Sequence, residues 1–150
     1  VSVSPSSSDY TISGGSTSYL SLESANDANY NGDYNDGQFD ALTSSYTVPS
    51  TGHYESFLQL YSTVSPNSTM TLSATFEVNG KVYKKSGFIA SATTAGLYET
   101  VMCFTMQFQT GDNIRIGLTT PVNGSFSILG TDKTVVGTTT VSSKWSMSQL

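Results

Sequence analysis

The chain has 150 residues, of which 11% are charged, with 11 acids against 6 Lys and Arg and a formal net charge of −5. That length suits one domain with a real core, and the charge excludes the clustered basic surface of a nucleic-acid binder. A single cysteine excludes an internal disulfide and a site of several thiolates, and no stretch is long and apolar enough for a membrane-spanning helix.

In chain order, the first seventeen residues contain Pro5 and the run Ser6-Ser-Ser8 and read as an arm or linker (1–17) before a single domain (18–150). Residues 1–56 carry seven acids and no Lys or Arg. A strand is expected at Tyr19–Leu22. Next comes Asp27-Ala-Asn29-Tyr30-Asn31-Gly32-Asp33-Tyr34, whose opening fits Asp-x-Asn-x-Asn-Gly, the start of a calcium loop. Alternate oxygen side chains on a turning chain can converge on one hard cation, and the glycine permits the turn. On that reading Asp27, Asn29, Asn31 and Asp33 are the calcium ligands. The twelfth position is Gln38 and not the bidentate Glu, however, and no flanking helices are expected. A turn-rich surface loop therefore stands ahead of the metal reading. Tyr30 and Tyr34 in this loop, with Asn123 in the later Asn123-Gly124 turn, are the candidates for ligand contact, because loops on a rigid scaffold carry function.

Strands follow at Ser45–Val48 and His53–Tyr61. Met70, Leu72, Ala74, Phe76 and Val78 then alternate with polar residues, as a half-buried strand requires. Asn79-Gly80 is a strong hairpin signal, since both residues tolerate positive φ. The return strand Lys81-Val-Tyr-Lys-Lys85 has the lysines of an exposed edge. Met102, Phe104, Met106 and Phe108 alternate in a further strand, and Cys103 within that apolar-rich run reads as a buried structural thiol. Ile114, Ile116 and Leu118 alternate again, and strands are expected at Ser125–Leu129 and Thr138–Met147. No window carries helical periodicity. The expected core includes Tyr54, Leu58, Leu60, Phe76, Phe104, Phe108, Ile114 and Ile116.

The order of four landmarks carries a family resemblance: Phe39-Asp40 before the Val48-Pro49 strand end, Gly52-His53-Tyr54 opening the next strand, Asn79-Gly80, and Phe108-Gln-Thr-Gly111-Asp112. With Trp145-Ser146 in the closing strand, they resemble the heads of the complement-head/tumour-necrosis-factor superfamily over residues 36–150. Two positions depart from that pattern: Met147 where glycine is usual, and Ser56 where a second aromatic is common. The resemblance implies an all-β, antiparallel jelly-roll sandwich that assembles as a homotrimer and binds other molecules.

Catalysis finds little support. His53 is the single histidine, and it lies in a turn with Glu55 as its neighbour on the same strand face. No carboxylate spacing singles out an acid–base pair. The expectation is a non-enzymatic binding head on a virion surface or otherwise outside the cell. Most directly it is a viral or phage spike or fibre knob, meeting a host receptor or surface glycan and joined to other virion or stalk proteins. The alternatives are a secreted or cell-surface recognition head of the same superfamily, or a purely structural capsid or surface component.

Overall fold

The structure is a computed structural model that describes residues 2–3, 10–13, 15, 17–20, 38–40, 42–64, 68–92, 96–120, 125–128, 133–135, 139–141 and 143–150. Every regular element among them is a strand: β1 (Ser2–Val3), β2 (Tyr10–Ser13), β3 (Ser18–Tyr19), β4 (Phe39–Asp40), β5 (Ser45–Thr47), β6 (Gly52–Val64), β7 (Ser68–Val78), β8 (Lys81–Ala92), β9 (Gly96–Phe108), β10 (Asn113–Thr119), β11 (Ser125–Ile128), β12 (Lys133–Val135), β13 (Thr139–Val141) and β14 (Lys144–Gln149). All pairings are antiparallel.

In the first sheet, β6 pairs with β9 along its whole length, from Gly52↔Phe108 to Val64↔Gly96. Its other side is shared. β14 covers Tyr54 to Gln59, and β11 covers Ser62 to Val64. The hand-over falls at Tyr61, whose N–H donates to Ser143 Oγ at 2.9 Å while that hydroxyl donates back to the Tyr61 carbonyl at 3.4 Å. A side chain thus satisfies the backbone where no strand does. This is why the strand expected over Thr138–Met147 is two strands, β13 and β14, with Ser143 between them. The N-terminal segment read as an arm also contributes strands: β1 pairs with β14, and β2 with β11.

In the second sheet the order is β8, β7, β10, with β5 and β3 sharing the far side of β10 and β4 beyond β5. Strands β7 and β8 meet in the Asn79-Gly80 turn, with φ of 49° and 78°, so the expected two-residue hairpin forms where both residues can adopt left-handed conformations. The lysine-bearing strand is an edge, as expected.

The sheets close on one core. Tyr54, Leu58, Leu60, Met102, Phe108, Trp145 and Met147 face Tyr46, Leu72, Ala74, Phe76, Ile114, Ile116 and Leu118 across the sandwich, all buried. Phe76 stacks edge-on to Phe104 at 4.6 Å and lies 6.1 Å from Phe108. The Trp145 indole takes edge contacts from Phe39 at 6.0 Å and Tyr46 at 6.2 Å, and its N–H donates to Ser56 Oγ at 3.1 Å. Ser56 and Met147, the two departures from the family pattern, are direct cross-strand partners and both buried. A small residue opposite a large one conserves volume, and the serine also supplies the acceptor the indole needs.

One expectation fails. Cys103 is exposed. Its strand alternates strictly, with Met102 and Phe108 inward and Val101, Cys103, Thr105 and Gln107 outward, so position decides against the thiol's preference for burial. Phe104 points inward but is half-buried, because β9 has no strand on its far side among the described residues; Lys84 Nζ sits 5.9 Å above its ring.

Candidate functional site

The landmark residues that carry the resemblance meet at one end of the sandwich. Asp112 accepts from Asn79 Nδ2 at 2.8 Å with one oxygen and from the Gln109 N–H at 2.8 Å with the other. Asn79 Oδ1 accepts from the Asn113 N–H at 2.9 Å. Gly111 donates to the Val48 carbonyl at 2.8 Å, and Val48 donates to that of Asp112 at 2.9 Å. Thr51 Oγ1 accepts from the Thr110 N–H at 3.0 Å, and the Tyr54 hydroxyl donates to the Ser50 carbonyl at 2.9 Å. Three loops are thereby sewn together with their polar groups spent internally. These motifs build a rigid end whose side chains are engaged with one another.

His53 and Glu55 are exposed at the start of β6. They stand on its outward face, opposite Gln107 and Thr105. No group of three or more His, Cys, Asp or Glu side chains converges among the described residues. Asp27, Asn29, Asn31, Asp33, Tyr30, Tyr34 and Asn123, the residues proposed for calcium and ligand contact, lie outside the described residues. The calcium and loop-contact assignments therefore stand as proposals.

Two exposed surfaces remain. The outward face of the first sheet is apolar at its centre: Val101 is 45% exposed, with Cys103 beside it and the half-buried Phe57 opposite Cys103. At its margin Gln59 Nε2 donates to both the Tyr61 hydroxyl, at 3.0 Å, and Glu99 Oε1. Burial first, and the Glu99 charge second, push the Tyr61 phenol above its ordinary value. The second surface is the β8 edge, where Val82 and Tyr83 are more than half exposed among Lys81, Lys84 and Lys85.

One polar pocket of about 470 Å³ lies on the outward side of the second sheet, between the turn before β5 and the start of β10. Leu42, Thr43, Ser44, Ser45, Asn113 and Arg115 line it. Asp40 braces the turn by accepting from the Leu42 N–H and the Thr43 hydroxyl, each at 2.9 Å. These bonds, the Leu42 one foremost, hold its carboxyl below the usual carboxylate value. Arg115 is the chain's single arginine. It occupies an outward position between the inward Ile114 and Ile116, and that lone cation in an alternating strand was the available sequence signal.

No protein-family model matches the sequence, and no curated protein matches it. A solved structure of Eiger TNF from S. frugiperda superimposes with a TM-score of 0.58 at 13% identity, over 100% of this chain and 92% of that one. At that identity the likeness concerns architecture. Two six-stranded antiparallel sheets, the handed-over β6 ladder and a full-length superposition together assign the chain to the TNF-like jelly-roll fold.

Proposed function

We propose that the chain is a non-enzymatic, homotrimeric binding head, carried outside the cell or on a virion as the knob of a viral or phage spike or fibre. The observation that supports this reading best is the placement of exposed apolar side chains. Val101, Cys103 and Phe57 lie on the outward face of the first sheet, while Val82 and Tyr83 lie on the edge of the second. Two different patches on one subunit suit a heterologous contact, which closes into a ring when repeated by identical copies. The charges are mostly opposite in sign: Lys81, Lys84 and Lys85 flank the edge patch, while Glu55 and Glu99 flank the face patch together with Lys144, which stands across from Gln59. Complementary rims of this kind fix register between partners.

The small charged fraction and the Ser-, Thr-, Asn- and Tyr-rich composition favour a surface of adaptable hydrogen bonds and aromatic contact, suited to recognising a receptor or glycan. Antibody raised against this chain, applied to the native particles that carry it, is expected to label the outward tips of projections. Label confined to the shell would move the assignment to a structural component, and absence from particles would move it to a secreted head.

A further inference from the structure

We infer that the pocket around Arg115 is a binding subsite for a sugar that bears a carboxylate. The inference rests on reading the chain as a binding head and gives that head a ligand class. Three polar side chains line the pocket together: the Arg115 guanidinium, the Ser44 hydroxyl and the Asn113 carboxamide. The guanidinium is held in place, its carbon 3.2 Å from the centre of the Tyr19 ring. Its Nε is buried without an acceptor. Stacking fixes the plane of the fork before any ligand arrives, so little rotamer freedom is lost on binding.

The turn opposite is equally set. Ser44 sits at φ 51°, unusual for a residue with a side chain. The Thr43 hydroxyl is committed to Asp40, so Ser45 Oγ, 2.8 Å away, donates to it. Leu42, 97% exposed, stands at the rim.

The ligand class follows from this lining. A planar fork with fixed orientation matches a carboxylate bidentately. A hydroxyl and a carboxamide, each able to donate and accept, match sugar hydroxyls or an acetamido group. Leu42 offers a small apolar contact to a ring face or methyl. The volume lies within the roughly 300–1,000 Å³ of small-molecule sites, while the polar lining argues against an apolar ligand.

Two carboxylates stand near. Asp40 already accepts two hydrogen bonds. Glu77 is the cross-strand partner of Arg115, and its Oε1 lies 3.3 Å from where a Cβ on Gly117 would stand. Glu77 opposes an incoming anion, so Glu77→Gln should tighten binding.

The test is chemical-shift titration of the intact labelled protein with sialyllactose, with a galacturonate oligosaccharide, and with lactose as the uncharged control. Saturable shifts at Ser44, Ser45, Asn113 and Arg115 with at least one acidic sugar, and none with lactose, are expected; which acidic sugar acts separates the two sources of carboxylate. Arg115→Lys, which keeps charge but loses the fork and its stack on Tyr19, should weaken binding about tenfold or more in a variant whose amide spectrum remains that of the folded chain, and Asn113→Ala should weaken it independently. Absence of saturable shifts with both acidic sugars overturns the inference. So does acetate displacing neither, or lactose binding as tightly as sialyllactose. Particle labelling and chain mass, which test the head itself, do not depend on this result.

Discussion

Replacing Phe108 by alanine removes a ring that is 1% exposed and lies 5.8 Å from Tyr54 and 6.1 Å from Phe76. Phe108 is the last residue of β9, paired with Gly52, and its neighbours belong to strands pinned by long ladders on both sheets. They cannot collapse far into the space. Truncation of a fully buried Phe costs about 3–5 kcal/mol, against a total stability of about 5–15 kcal/mol for a domain. For a domain of this size each kcal/mol lowers Tm by about 2–4 °C, so a fall of about 6–20 °C is expected. Thermal and urea melts at matched protein concentration would measure it, since assembly makes Tm concentration-dependent. A variant melting within about a degree or two of the parent would mean that the β9 register, and with it the inward set, is wrong.

Ser56→Ala should destabilise by about 1–3 kcal/mol, because it strips the acceptor from the buried Trp145 N–H; an unchanged urea midpoint would show that another acceptor serves the indole. Asp40 has a folded-state pKa below its ordinary value, so its contribution is present above the unfolded pKa of 3.8 and is lost as pH falls through the folded one. Asp40→Asn should therefore flatten the acid limb of stability against pH, and an identical acid limb would refute that role. Val101→Asp places a charge at the centre of the outward apolar face. It should shift the chain toward monomer in light scattering without lowering monomer stability, and an assembly mass equal to the parent's would remove that face from the interface.

Much of the sandwich was legible because period-two alternation reports directly which side of a strand is buried. At Leu72, Ala74, Phe76 and Val78 of β7 and at Ile114, Ile116 and Leu118 of β10 the alternating apolar residues are buried, and Glu77 is buried as well, next to a register shift against β8. Asn79-Gly80 was legible for a local reason: its backbone conformation is one that few residue pairs tolerate. Cys103 faces outward because the same alternation outweighs the thiol's preference for burial. The break at Ser143 was invisible because it depends on Tyr61, far away in sequence, needing a partner where two strands exchange. The Arg115 pocket was hidden for a similar reason. Its walls come from Leu42–Ser45 and from β10, which only the β5–β10 pairing brings together. The Asn-, Asp- and Gly-rich segment stood out in sequence through composition, whereas the Arg115 pocket depends on side chains from separate segments meeting on one face.

The central claim is that this jelly roll works as a closed trimer, and sedimentation equilibrium tests it most directly. At micromolar concentration the account predicts a single species of three times the 15.9 kDa chain mass. A stable species of one chain mass under the same conditions would contradict it.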